Sequence, residues 1–202
     1  MKGVKQQMKM SRIVNVAFGL VIGVALATSS AVSQDKVPTD HAYVGAKKCM
    51  PCHMSPAKGA QYKQWMGTKH AQAYKTLGTD EAKAAAKKMG IDDPQKSPKC
   101  LQCHVTGYHA PDSLKTEKYA MADGVTCESC HGPGSDYWKM PVMMGIAKGS
   151  MKAADYGLEM PTEETCMQCH LNTDKNPFSK KEFDFAAMKA KISHPNPQKA
   201  GK

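Results

Sequence analysis

A mainly α fold with much irregular structure is predicted by three observations on this chain. The unit Cys-x-x-Cys-His occurs four times, at Cys49 to His53, Cys100 to His104, Cys127 to His131 and Cys166 to His170, and the four copies use all eight cysteines. Aromatic residues make up only 6% of the chain, against 16 glycines and 12 prolines, thin material for a conventional core. Beyond the repeated unit there is no internal repeat, and no strand–helix alternation suggests a nucleotide-binding fold.

The unit reads as a c-type haem attachment site. On one helical turn, cysteines three apart lie on the same side, and each can form a thioether to a porphyrin vinyl. The adjacent histidine then sits over the iron as its proximal ligand. Zinc ribbons and thioredoxin-like dithiols also use Cys-x-x-Cys pairs, and an even cysteine count permits disulfides. A histidine directly after every second cysteine fits none of these. The expectation is four covalently attached c-type haems, held by Cys49, Cys52, Cys100, Cys103, Cys127, Cys130, Cys166 and Cys169. His53, His104, His131 and His170 are the proximal metal ligands.

The chain begins with a basic stretch (Lys2, Lys5, Lys9, Arg12), an apolar run from Ile13 to Ala27, and small residues ending Ala31-Val32-Ser33. That is the pattern of a secretory signal over 1–33, with a single domain over 34–202 and a periplasmic or otherwise exported location. The apolar run is short for a spanning helix of about 20 residues, so no stable membrane insertion is expected after cleavage. Without the signal, 24 Lys+Arg (28 less four) face 18 Asp+Glu, a formal +6. Haem propionates offset much of that, and no basic patch with stacking aromatics marks a nucleic-acid binder. The exported chain has 169 residues (202 less 33), roughly 42 for each of four haems. At that ratio the macrocycles must form the core of a small multihaem cytochrome.

In order, residues 34–46 read as an extended lead-in carrying His41. Ser55-Pro56 has the form of a helix start, with a helix running to about Met66. Thr68 caps a second helix through Leu77, with His70 in its first turn. Thr79 to Met89 is the clearest helix: Thr79 caps it, Asp80 and Glu81 favour its N-terminus, lysines its C-terminus, and Gly90 stops it. Asp92 to Ser97 is a polar linker. Val105 to Tyr108 reads as a short strand, and Gly132-Pro133-Gly134 breaks the third unit's helix. Residues 135–160 are rich in methionine (Met140, Met143, Met144, Met151, Met160), for which core filling is the ordinary role. An amphipathic helix from about Lys180 to Ile192 leads to His194-Pro195.

Four histidines lie outside the attachment units: His41, His70, His109 and His194. Four spare histidines for four irons permit bis-His ligation throughout. His109 follows the proximal His104 by five residues, at most about 18 Å of chain, too short to pass around its own macrocycle. It would have to serve a different haem. His70 stands on a compact hairpin after the first unit and faces away from it, which predicts ligation of a haem attached later, at His170.

Several stretches resemble the tetrahaem cytochrome c-554 family. They are Lys47-Lys48-Cys49 with Trp65 and His70 downstream, Cys100 to Gly107, the octet Cys127-Glu128-Ser129-Cys130-His131-Gly132-Pro133-Gly134, and Cys166 to Asn172. The resemblance implies a mostly helical fold cored by closely stacked haem pairs, and an electron-transfer role. It also implies that His70 and His194 are distal ligands. In that family the second haem is five-coordinate, and a third distal histidine follows the Gly-Pro-Gly turn. Here that region offers Pro141 between Met140 and Met143. Either a methionine gives a site of higher potential, or His41 or His109 takes over.

The expected function is therefore periplasmic electron transport between redox partner proteins, docking transiently through surface lysines. No catalytic residues are expected, because nothing marks an acid–base pair beside an open iron. Two other readings remain. One is a haem enzyme reducing a small nitrogen oxide at a five-coordinate iron. The other is self-association into a conductive filament, with His41 ligating a haem of a neighbouring chain.

Overall fold

The computed structural model describes residues 41–171 and 182–197, all within one compact unit, Asp35–Lys202. The segment 1–33, expected to be a signal, and the residues 34–40 lie outside the described residues. Nine short α-helices appear among those described. They are α1 (Met50–His53), α2 (Gln61–Met66), α3 (Ala73–Thr76), α4 (Asp80–Lys88), α5 (Pro98–His104), α6 (Glu128–His131), α7 (Met140–Lys148), α8 (Glu163–Met167) and α9 (Phe185–Ile192). Single 3-10 turns fill several of the gaps. There is no strand among the described residues, only an isolated parallel bridge between Tyr43 and Lys115. The fold is mainly helical with much irregular structure, as the sequence predicts. No described helix is long and apolar enough to cross a membrane.

The helices are as short as their local chemistry dictates. In α4, Thr79 accepts a hydrogen bond from the Ala82 N–H at 3.2 Å, and Gly90 ends the segment at φ +67°. This is the predicted helix. Threonines also cap α8, where Thr162 and Thr165 form a reciprocal box.

Four segments differ from expectation. The helix predicted from Ser55 to Met66 is two pieces, a 3-10 turn Pro56–Lys58 and then α2. Gly59 at φ +101° and Ala60 at φ +48° break it between them. The helix predicted from Thr68 to Leu77 narrows to α3. Thr68 instead caps the preceding turn, its hydroxyl donating to the Trp65 carbonyl and accepting from the Ala71 N–H. The predicted strand Val105–Tyr108 is a turn, with Gly107 at φ +61°. The last helix starts at Phe185, where Asp184 caps the Ala187 N–H at 2.9 Å, and Lys180 lies outside the described residues. The methionines are a fifth departure: Met140 is 64% and Met160 76% exposed, and Met144 is exposed too, so these three fill no protein core.

The apolar core is correspondingly small. Leu77, Leu101 and Val105 form it, with Tyr74, Cys100, Tyr108 and Tyr119 against them. Polar bonds do the rest of the fastening. The buried Thr106 hydroxyl donates to the Gly124 carbonyl at 3.1 Å, accepts from the Thr126 N–H at 2.7 Å, and lies 2.7 Å from the Ser129 hydroxyl. The Tyr119 hydroxyl donates to the Thr106 carbonyl at 2.7 Å. One side chain thus ties the turn after the second unit to the entry of the third. Thr106→Val keeps the shape and removes the hydroxyl, leaving the buried Thr126 N–H without its acceptor. It is expected to cost about 2 kcal/mol, read as a lower denaturant midpoint with unchanged m.

Candidate haem centre

The four Cys-x-x-Cys-His units are drawn together in space by contacts between cysteines of different units. Cys49 donates a hydrogen bond to Cys127, which pushes the Cys49 thiol up and the Cys127 thiol down. Cys169 stands in the same relation to Cys103, whose thiol falls to about 7. Burial, followed by the nearby Cys166, pushes the Cys130 thiol up to about 11. The first unit therefore adjoins the third, the second adjoins the fourth, and the third and fourth meet. None of the eight cysteines is paired in a disulfide. Among the described residues no group of three or more His, Cys, Asp or Glu is arranged to hold a bare metal ion.

Each unit's histidine is oriented from behind. The His104 Nδ1–H donates to the Ala73 carbonyl at 2.8 Å, His131 to the Glu159 carbonyl at 3.0 Å, and His53 to Gln61 Oε1 at 3.2 Å. His170 stacks on Phe183, with ring centroids 4.7 Å apart and planes inclined by 17°. An Nδ1–H bonded to an acceptor leaves Nε2 with its lone pair outward, the tautomer a metal requires.

Two of the four spare histidines face a unit histidine. The His70 and His170 rings lie 6.0 Å apart at 67°, and His131 and His194 lie 6.0 Å apart at 75°. A His–metal bond is about 2 Å long, as at zinc, and Nε2 is roughly 1.1 Å from the ring centre. Two imidazoles on opposite sides of one metal ion thus have centroids about 6 Å apart. Burial is the leading cause holding His70, His131 and His170 below the ordinary histidine value. That favours the neutral, ligand-competent ring. The 6.0 Å spacing of both pairs fits haem iron between them, and the bonded Nδ1 of His131 and of His194 leaves each Nε2 free for it.

The supports of His70 are local to the second and third units. The Val125 N–H donates to the His70 carbonyl at 3.0 Å, and the Trp65 indole N–H donates to the Val125 carbonyl at 2.8 Å. A Cβ on Gly124 would come within 2.8 Å of the His70 carbonyl. His194 donates from Nδ1 to the Ile192 carbonyl at 2.8 Å, at the end of α9.

The other two spare histidines have different surroundings. His41 donates from Nδ1 to the Asp136 carboxylate at 2.5 Å, and its ring lies so near Gly157 that a Cβ there would meet Cδ2 at 2.6 Å. A carboxylate behind an imidazole is the usual orienting partner of a metal ligand. That bond is made within the one chain. His109 is exposed, with the Tyr108 ring beside it at 5.1 Å. Among the described residues neither His53 nor His104 has a second imidazole at ring-contact distance.

Glu128 is the residue that sequence reasoning passed over. It lies inside the third unit and is 2% exposed. Its Oε1 accepts from the Val44 N–H at 2.8 Å and the Gly134 N–H at 2.7 Å, and Oε2 from the Gly45 N–H at 2.9 Å. Burial pushes this carboxyl above its usual range, and the three N–H donors pull against that. The carboxylate staples the lead-in to the first unit onto the turn that follows the third. The one signal for it in the sequence is an acidic residue in a position otherwise free to vary.

The family described as cytochrome c554 and c-prime matches residues 29–132. Cytochrome c-554 of Nitrosomonas europaea is 33% identical over 174 residues, covering 81% of this chain and 71% of that protein. No solved structure matches the chain.

Proposed function

Because the chain belongs to the cytochrome c554 and c-prime family, a family of c-type cytochromes in electron transport, we propose that it is a periplasmic carrier passing electrons between redox partners through four closely packed haems. The observation that carries this reading is the pair of facing imidazoles, His70 with His170 and His131 with His194, each at 6.0 Å. Bound haem supplies an iron that changes valence by one electron. The chain supplies the thioether cysteines, neutral axial imidazoles and a small protected interior. The cysteine contacts support a path running from the first unit to the third, then the fourth, then the second. His41, oriented by Asp136, is the best candidate for a third distal ligand, and His109 the poorest. The expected result is four covalent haems per chain by haemochrome spectroscopy, with rapid oxidation and reduction on stopped-flow mixing with a small redox protein. A purified chain lacking covalent haem defeats the reading.

A second reading has His104 behind it. Its ring is fixed by Ala73, and no described imidazole faces it. An iron held there would keep an open face for a small nitrogen oxide. A high-spin ferric signal that binds nitric oxide without displacing a protein ligand would favour that enzyme reading; four low-spin irons would exclude it.

A further inference from the structure

We propose that Gly59 is a positioning residue for His194: the glycine turn after the first attachment unit is the seat on which the C-terminal arm 193–197 docks, and that docking holds the His194 imidazole opposite His131. The proposal rests on the reading of His194 as a distal ligand and adds what keeps it in place.

Gly59 combines two features. Its φ is +101°, a region that side chains rarely adopt, so the chain reverses here instead of continuing the 3-10 turn Pro56–Lys58 into α2. It is also an intimate contact. A Cβ at Gly59 would lie 2.5 Å from the Pro195 carbonyl oxygen, 2.9 Å from Gln61 Nε2 and 3.1 Å from Pro197 Cδ. The first of these is backbone, one residue from His194, and it cannot swing away as a side-chain tip can.

Ser193 N–H bonds back to the Lys189 carbonyl, and His194 Nδ1 to the Ile192 carbonyl, both within α9 and its end. Those bonds shape the arm without fixing it to the rest of the fold. No residue of α9 is buried. The Gly59 seat is a backbone contact between the arm and the first unit's turn, one residue from the imidazole that faces His131. An arm displaced by the width of a methyl group would move the imidazole off its 6.0 Å spacing.

Gly90 provides the control. It too has a positive φ, +67°, but a Cβ there would meet nothing within 4 Å. Gly90→Ala carries comparable backbone strain without the close approach.

The test uses the full holoprotein and cyanide as probe, because cyanide captures an iron only while its distal imidazole is off. Its capture rate scales with the open fraction. Gly59→Ala is expected to raise the capture rate at one haem by about tenfold or more and to give partial high-spin character that added imidazole reverses. Gly90→Ala is expected to match the wild type. If Gly59→Ala also matches the wild type, the proposal is overturned. His194→Ala separates this from the underlying reading. If it leaves cyanide capture and spin state untouched, His194 is not a ligand and the reading itself fails. If it opens a haem while Gly59→Ala does not, only the seat is wrong. Should Gly59→Ala fail to assemble, Gly59→Asn tolerates positive φ better, carries the same Cβ, and is read by the same two outcomes.

Discussion

His70→Ala is expected to convert one low-spin haem to high spin and to lower the thermal midpoint by roughly 6–12 °C, about 3 kcal/mol for a chain of this size. The spin change follows from removing the imidazole that faces His170 at 6.0 Å. The stability loss has a separate origin. A bond through iron between these two residues would span a hundred positions of chain, and restraining a loop of that length is worth up to about 4–5 kcal/mol when the link is permanent. An exchangeable ligand bond recovers part of it. The backbone at His70 stays held by the Val125 N–H and the Trp65 indole, so the turn survives and the effect reads on the ligand. A variant with every haem low-spin and the wild-type midpoint would make His70 an ordinary half-buried histidine.

Glu128→Ala is expected to cost about 3 kcal/mol or more, since it strips the acceptor from three N–H groups in an interior where each orphan costs about 1 kcal/mol or more. Val44, Gly45 and Gly134 lose their partner together. The neighbouring ties, Ser135 N–H to the Ala42 carbonyl at 3.0 Å, Ala42 N–H to the Ser135 hydroxyl at 2.9 Å and His41 to Asp136 at 2.5 Å, lie one step further out and do not satisfy these three donors. Glu128→Gln should fall between the variant and the wild type. It keeps the shape and one oxygen acceptor, but turns an amide N–H₂ toward an N–H donor. Denaturant unfolding followed by far-ultraviolet circular dichroism measures both. An alanine variant within about 0.5 kcal/mol of wild type would mean that water satisfies those donors and that the staple is ornamental.

Features written in adjacent residues were legible in the sequence. Thr79, Asp80, the alanine–lysine run and Gly90 dictate α4 because cap, propensity and stop all act within a few positions. The attachment units were legible for the same reason. Val105 to Tyr108 misled because β-branched residues suggested a strand, whereas the Thr106 hydroxyl is claimed by Gly124, Thr126 and Ser129, some twenty residues on. The break at Gly59 is likewise explained by Pro195, at the far end of the chain. His41 and Asp136 are separated by 95 positions, and no periodicity connects them. What failed to show in the sequence is consistently what depends on two distant segments meeting.

The pairing of His131 with His194 also bears on how the chain comes into being. Residues 131 and 194 are 63 positions apart. A chain emerging from its N-terminus presents the third unit long before the arm that faces it exists. Until then the imidazole of His194 cannot face His131, so completion of that site waits on the segment 193–197. High contact order of this kind slows assembly, because loop closure comes before the contact that rewards it. A nascent or C-terminally clipped chain would thus be a distinct ligand-hungry species, open to whatever imidazole or small anion its compartment contains.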